Sequence, residues 1–229
     1  MNRVSKSRIV YSLIVLLLCL IAANCNRIIE QRKHYYYDRG MTLFNNSDYI
    51  NAAKEFGKAL QFDERYFDAL YMQGMSNYSL GNYGAALKSF QKASAERQED
   101  INLKLKIAEC FINTMNVRAK GKGKQLLGYF SDVISPLAEK NRDARIMLVR
   151  YYLVLNKLIE AEKIIEGFLR DGEKASDFYV VLVQFKVKKN KVSEAEDIAL
   201  KSFSYTPDWM KAMKLLVDQL NGPENYQSL

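Results

Sequence analysis

Two stretches, SDYINAAKEFGKA at 47–59 and GNYGAALKSFQKA at 81–93, carry the same pattern at a spacing of 34 residues. The matched pairs are Tyr49 with Tyr83, Ala52 with Ala86, Phe56 with Phe90, Ala59 with Ala93 and, upstream, Gly40 with Gly74. A fixed period of this length indicates a repeat architecture, in which each repeat is one supersecondary unit stacked on its neighbours.

This pattern resembles the tetratricopeptide repeat, a helix-turn-helix unit of 34 residues with small residues at positions 8, 20 and 27 and a large apolar residue at 24. The resemblance places repeat one at Lys33 and repeat two at Phe67. Small residues let the two helices of a repeat, helix A and helix B, approach closely. Gly81-Asn82 is the predicted turn between them in repeat two, because both residues tolerate a left-handed backbone.

The same pattern continues more weakly towards the C-terminus. Ala161 and Ala195 are again 34 residues apart, which starts repeats four and five at Arg142 and Ser176. Both repeats have Val at position 8, which predicts looser packing of their helices. Repeat three starts at Ile101 and lies 41 residues before repeat four, so about seven residues are inserted, at RAKGKGK in 118–124. Pro136 is expected to bend or end the second helix of this repeat.

The sequence therefore predicts an all-α fold, an α-solenoid of about five helix-turn-helix repeats of the tetratricopeptide type with a C-terminal capping helix. The solenoid spans 33–220, with the capping helix at 206–220, Thr206 as its N-cap and Pro207 at its first turn. A signal peptide with a lipobox, or a membrane anchor, occupies 1–25, and a short basic linker occupies 26–32. The polar tail at 221–229 is expected to be flexible.

The N-terminal 25 residues read as a targeting segment, with a basic start and the apolar run IVYSLIVLLLCLIAA at 9–23. LIAANC at 20–25 resembles the lipobox of bacterial lipoproteins, which would make Cys25 the lipidated residue. Asn24 departs from the small residue that the strict pattern places before the cysteine. An uncleaved anchor and a cleaved, released protein remain open, and each alternative places the repeats outside the cytoplasm, on the periplasmic or cell-envelope side.

The residues that carry chemistry in enzymes are scarce. The chain has one histidine, His34, which excludes histidine triads and multi-histidine metal sites. With Cys19 lost or buried in the membrane and Cys25 lipidated, Cys110 would be alone, and it is predicted to be a buried apolar residue. The net charge of +8 is partly N-terminal and does not by itself indicate nucleic acid binding. We expect no enzymatic activity, no cofactor, no metal and no small-molecule substrate.

The resemblance implies a binding groove lined by helix A at positions 2, 5, 9, 12 and 13. The candidate partner-binding residues are Tyr37, Met41, Phe44, Tyr71, Met75, Tyr78, Asn113, Arg150 and Gln184. Further carried-over positions include Ile112, Ile146 and Leu153. Tyr and Met at recurring positions suit an apolar or aromatic peptide segment; alternatively, these side chains pack on one another. Position 2 holds Asp68, Asp143 and Asp177, and the Lys and Asn set that clamps a chaperone tail is missing, so recognition of such a tail is disfavoured.

Two lysine-rich stretches form the other candidate surface. The inserted loop supplies the basic patch Arg118, Lys120, Lys122 and Lys124, and KVKKNK at 186–191 supplies more lysines. We expect a membrane-anchored interaction module of the envelope, a scaffold or assembly factor that binds another envelope protein or a peptide segment. The alternative is a membrane-surface structural protein whose basic patches hold lipid or an anionic envelope polymer.

Overall fold

The computed structural model describes residues 3–115 and 123–203, and these residues form helices without any strand. The predicted capping helix at 206–220, the tail at 221–229 and the residues Arg118, Lys120 and Lys122 lie outside them. The chain divides into two compact units, Met1–Leu103 and Lys104–Leu229. They are called unit 1 and unit 2 below.

The helices of unit 1 alternate between helix A and helix B of successive repeats. They are α1 (Arg3–Asn45), α2 (Tyr49–Ala59), α3 (Phe67–Ser79) and α4 (Tyr83–Glu96), followed by the start of α5 (Ile101–Met115). The helices of unit 2 after α5 are α6 (Gly123–Tyr129), α7 (Ser135–Ala138), α8 (Arg142–Val154), α9 (Leu158–Arg170), α10 (Ser176–Lys188) and α11 (Val192–Phe203). Four A helices, α3, α5, α8 and α10, begin at the first residues of the predicted repeats, and the all-α solenoid fold is confirmed.

Helix α1 is longer than the sequence predicted, because the proposed linker at 26–32 has helical backbone continuous with repeat one. Residues 24–32 contain neither Gly nor Pro, so nothing in them ends a helix. The role of this basic segment as a linker stays a prediction. Among the described residues, no helix combines the length and the apolar character needed to cross a membrane.

The turn between helix A and helix B has the same backbone conformation in four repeats. The residues at this position are Ser47, Gly81, Asn156 and Asn190, with φ of 62°, 74°, 56° and 58°. Their spacing is 34 residues within each pair of neighbouring repeats. A left-handed residue reverses the chain after helix A, and Gly and Asn adopt it at the lowest cost. The predicted turn at Gly81-Asn82 is thus confirmed.

Close packing of helix A on helix B depends on glycine in the first two repeats. A Cβ atom added to Gly40 would lie 2.6 Å from the ring of Phe56, and one added to Gly74 would lie 2.5 Å from the ring of Phe90. Both phenylalanines are fully buried. The phenylalanine of helix B therefore fills the space that any larger residue at position 8 would need.

Repeats four and five have a larger residue at position 8 of helix A and a smaller residue at position 24 of helix B than repeats one and two. Position 8 holds Val149 and Val183, which are 0% and 1% exposed, and position 24 holds the smaller Ile165 and Ala199. The larger residue on helix A is matched by a smaller residue on helix B. The smaller residue on the facing helix offsets the loss of glycine, so the valines remain buried. The backbones of these helix pairs nevertheless lie less close together than in repeats one and two, as the valines predicted.

The second helix of repeat three contains a π-helical turn at Phe130–Ile134, directly before Pro136. The backbone N–H of Ser135 donates to the carbonyl of Phe130, five residues earlier. A proline lacks the N–H for the α-helical bond and its ring displaces the carbonyl four residues before it, so a wider turn accommodates it. The helix continues through Pro136 and ends at Ala138.

We expect Gly74→Ala to lower the free energy of unfolding by about 1–3 kcal/mol, because the added methyl group overlaps the buried ring of Phe90. Urea denaturation followed by circular dichroism measures this loss. The matched control is Gly84→Ala on α4, where an added Cβ meets nothing within 4 Å. This control should be neutral or stabilising by up to about 1 kcal/mol. Equal unfolding free energies for the two variants would contradict the packing account.

Candidate functional site: the helix A face

Aromatic contacts on helix A recur in repeats one and two with nearly the same geometry. The ring centroid of Tyr37 lies 5.6 Å from that of Phe56, and the centroid of Tyr71 lies 5.7 Å from that of Phe90. Further along the same helices, Phe44 lies 5.2 Å from Tyr49, and Tyr78 lies 5.3 Å from Tyr83. Each of these four aromatic side chains of helix A therefore packs on helix B of its own repeat.

These contacts leave the outer side of the same residues uncovered. The unit-1 A face consists of half-buried residues from α1 and α3, which contact each other: Tyr37, Met41, Phe44, Tyr71, Met75 and Tyr78. Packing against helix B fixes the direction of the aromatic rings, and the two methionines lie between them at position 9. The sequence left open whether these side chains line a groove or pack within the fold. They pack on helix B and are only half-buried, so an apolar surface remains on their other side.

In unit 2 the corresponding positions are more polar or more deeply buried. Arg150 and Glu109 occupy position 9 of neighbouring repeats, and Arg150 Nη1 lies 3.2 Å from Glu109 Oε1. Asn113 and Gln184 are half-buried. The predicted groove positions Ile112, Ile146 and Leu153 are instead buried, at 4%, 6% and 3% exposure. Ile146 and Leu153 belong to the core around Ile165 and Phe178, so they were wrong as binding residues.

The acidic residues at position 2 form ion pairs within the fold, and that of Asp177 joins two adjacent repeats. Arg142 of α8 binds Asp177 of α10 through two hydrogen bonds of 2.6 and 2.8 Å, and its Nε donates to Glu173 at 2.6 Å. The Arg142 guanidinium lowers the pKa of both carboxyl groups. In unit 1, Asp68 lies 3.8 Å from the guanidinium of Arg97. The family position used for ligands therefore also carries ion pairs within the fold.

The lysines of KVKKNK are largely engaged with carboxylates of neighbouring helices. Lys186 and Lys191 each lie 2.6 Å from an oxygen of Glu194, and Lys189 lies 2.8 Å from Glu162. Lys124 lies at the start of α6, and the other three residues of the predicted basic patch are outside the described residues. These lysine pairs reduce the positive charge available at this stretch for an anionic surface.

The cysteines and acidic residues that the structure describes form no metal site. No group of three His, Cys, Asp or Glu side chains among the described residues could hold a metal ion. Cys110 is buried, and burial raises its pKa to about 12, so its thiol stays protonated. Cys25 is exposed on α1.

Two residues next to the unit-1 A face were missed by the sequence analysis. Tyr66 precedes α3 and its ring centroid lies 5.3 Å from that of Tyr37, while Asp38 follows Tyr37 on α1. Neither residue occupies one of the five family positions used to select candidates. The sequence could have indicated Tyr66, because it directly precedes repeat two and therefore lies at the start of helix A.

Family models match two parts of this chain. Residues 67–99 match the tetratricopeptide repeat, and residues 122–225 match the Chs5p-Arf1p-binding proteins. Among curated proteins, serine/threonine-protein phosphatase 5 of Homo sapiens and of Rattus norvegicus are each 28% identical over 76 residues. These alignments cover 33% of this chain and 15% of either phosphatase.

Solved structures of tetratricopeptide-repeat proteins are similar over most of the chain. TTC0263 of Thermus thermophilus has a TM-score of 0.58 at 15% identity, covering 82% of this chain and 98% of the other. A repeat protein of Parabacteroides merdae has a TM-score of 0.60 at 18% identity, with coverages of 81% and 70%. YrrB, described as having an unusual peptide-binding site, has a TM-score of 0.53 at 20% identity, with coverages of 82% and 95%.

Together these findings define the class of the protein. It has the fold of tetratricopeptide-repeat proteins, and residues 67–99 carry the sequence signature of the repeat itself. The unit-1 A face lies on the helices that the resemblance assigns to binding.

We expect Arg142→Gln to reduce the stability at pH 6 by about 1 kcal/mol, a value discounted for the partial exposure of these ion pairs. Because folding lowers the pKa of Glu173 and Asp177, their stabilisation is complete above the ordinary carboxyl pKa of about 4 and is lost as the pH falls. The melting temperature of the variant should therefore fall less between pH 6 and pH 3.

The control for this experiment is Arg170→Gln, since Arg170 is exposed at the end of α9. Its melting temperature should follow the wild-type pH dependence. An unchanged pH dependence in Arg142→Gln would show that this arginine does not hold the two carboxylates.

Proposed function

We propose that this protein is a membrane-tethered interaction module of the cell envelope that binds a partner protein through the unit-1 A face. The observation that carries the proposal is a recurring set of half-buried side chains in repeats one and two. Position 5 of each repeat is Tyr, position 9 is Met and position 12 is aromatic. The module acts as a scaffold or assembly factor and performs no chemistry of its own.

The side chains of this face favour a peptide segment as the ligand. Tyrosine offers a large contact area with few rotatable bonds, and methionine adapts to irregular apolar surfaces. Because Phe56 and Phe90 hold the tyrosine rings in place, little side-chain entropy is lost on binding. The peptide-binding site described for YrrB and the binding role in the name of the Chs5p-Arf1p-binding proteins are compatible with a protein ligand.

The proposed tether is the N-terminal segment, with Cys25 as the lipidated residue. Cys25 is exposed on α1, and Arg27 and Arg32 are exposed on the following turns. At 1.5 Å per residue, eight residues of helix separate Cys25 from Lys33 by about 12 Å. Such a short spacer would hold the repeats close to the membrane surface, where the two arginines favour anionic headgroups.

The second candidate, a structural protein that holds lipid or an anionic polymer through basic patches, has less support. Lys186, Lys189 and Lys191 are paired with carboxylates, so a polyanion would have to displace these pairs. The candidate then depends on the inserted loop at 118–124, whose basic patch includes Lys122. A probe in that loop separates the two functions.

Photo-crosslinking in the native cell tests the proposed binding face. A photoreactive residue at position 75 should give one dominant protein adduct by mass spectrometry. Position 75 is preferable to position 71, because Tyr71 packs on Phe90 and its replacement also affects stability. A probe at Ile159, which is 71% exposed on α9, is the control and should give no such adduct.

Adducts at Lys122 but not at position 75 would contradict the binding face and favour the second candidate. Equal capture of the same protein at positions 75 and 159 would also contradict it, because the contact would then not be specific to α3.

Metabolic labelling with an alkyne fatty acid tests the tether. We expect the wild-type protein to become labelled and Cys25→Ser to lose both the label and its membrane association in cell fractionation. Cys110→Ser is the control and should retain the label, because Cys110 is buried in the fold. Membrane association of Cys25→Ser without any label would instead favour the uncleaved anchor.

A further inference from the structure

A group of aromatic and acidic side chains lies at the end of the unit-1 A face where α3 begins. The ring of Tyr66 is close to two residues of α1, with centroid distances of 5.3 Å to Tyr37 and 5.9 Å to His34. Asp38 follows Tyr37 on α1, and Asp68 lies in the first turn of α3. Burial raises the pKa of Tyr37 and of Tyr66 most, and the negative charge of Asp68 raises both further, with a smaller effect from Asp38. The acid-aromatic cluster is defined here as Tyr37, Tyr66, Asp38 and Asp68.

The carboxylates of this cluster are not fully neutralised by the protein. Asp38 is exposed, and the neighbouring Arg39 pairs instead with Glu55, at 3.7 Å. The side chain of Asp68 is 48% exposed, and its one ion pair in that part of the chain is a long contact of 3.8 Å with Arg97. The guanidinium of Arg97 is itself stacked on the ring of Phe67 at 3.7 Å.

The lysine closest to the cluster is committed elsewhere. Lys33 Nζ lies 2.7 Å from Glu30 and 3.2 Å from Asp63, and the residue is only 8% exposed. Its ammonium group also lies 4.9 Å from the centroid of the Tyr66 ring. The fold thus already places one cation against this tyrosine, while the two aspartates remain accessible from the solvent side.

We propose that the acid-aromatic cluster binds a lysine or arginine side chain of the partner segment, next to an apolar residue that packs on Met41 and Met75. The inference rests on the proposed function, because it assigns the charge of the ligand to the same face. Carboxylates pair with a cation, and tyrosine rings attract a cation through the negative electrostatic potential of their faces. A cation bound here would gain both interactions, whereas an acidic ligand would be repelled by Asp38 and Asp68.

A random dodecapeptide library displayed on phage, selected on the immobilised full chain in mild detergent, tests this assignment. We expect enriched peptides to contain Lys or Arg beside an aliphatic or aromatic residue. One enriched arginine peptide is then synthesised with a fluorophore, and its Kd is measured by anisotropy. Asp38→Asn combined with Asp68→Asn should weaken binding about tenfold, which corresponds to about 1.4 kcal/mol.

Two controls separate loss of charge from loss of structure. Asp197→Asn removes an exposed carboxylate from α11 and should leave the Kd within about twofold. A peptide with citrulline in place of arginine removes the charge from the ligand without altering the protein. Its binding to the wild-type chain should also weaken about tenfold, and the double aspartate variant should then cause little further loss, because both changes remove the same interaction.

The outcomes distinguish this inference from the proposed function. Enriched peptides that lack basic residues, yet lose binding on Met75→Lys, would overturn the inference and leave the binding face intact. Equal affinities of the arginine and citrulline peptides would overturn it as well. If no peptide depends on Met75, or none is enriched, the proposed function and the inference both fail.

Discussion

The close approach of helix A to helix B is the constraint on which the rest of the structure depends. In unit 1 it is made possible by Gly40 and Gly74, whose missing side chains leave room for the buried rings of Phe56 and Phe90. A single hairpin of this kind cannot bury its apolar surface alone, so successive repeats stack on it. The left-handed residue after helix A then sets where the chain reverses and keeps the hairpins in phase.

The candidate site follows from this packing. Phe56 and Phe90 fill the gaps at the glycines and also provide the surfaces on which Tyr37 and Tyr71 rest. Since the same two contacts recur 34 residues apart, the unit-1 A face has its aromatic residues at regular intervals. A residue that packs on one side and is open on the other is already ordered before a ligand arrives, which lowers the entropic cost of binding.

The sequence predicted the repeats better than it predicted the site. The repeat period predicted where four A helices begin, namely α3, α5, α8 and α10. The turn at Gly81 was predictable because its left-handed backbone favours glycine. Which residues of helix A are open to solvent depends instead on neighbouring side chains. Ile146 and Leu153 occupy binding positions by number, but they are buried in the core of unit 2. Likewise, the partners of Asp177 could not be predicted, because Arg142 reaches it from the preceding repeat, 35 positions away.

The volume exchange in unit 2 explains why the repeat signature fades while the fold persists. A sequence pattern scores the residue at each position separately, so Val149 and Val183 count as departures from glycine. Packing depends on the combined volume of the two facing side chains, and the smaller Ile165 and Ala199 leave room for the valines, which remain buried. A polar pair between helix A and helix B is likewise replaced by apolar residues. Gln73 accepts a hydrogen bond from Ser89 at 3.0 Å in repeat two, and the same positions hold Leu182 and Ile198 in repeat five. Residues 67–99, which the repeat model matches, keep both the glycine and the phenylalanine, whereas the structural similarity extends over most of the chain.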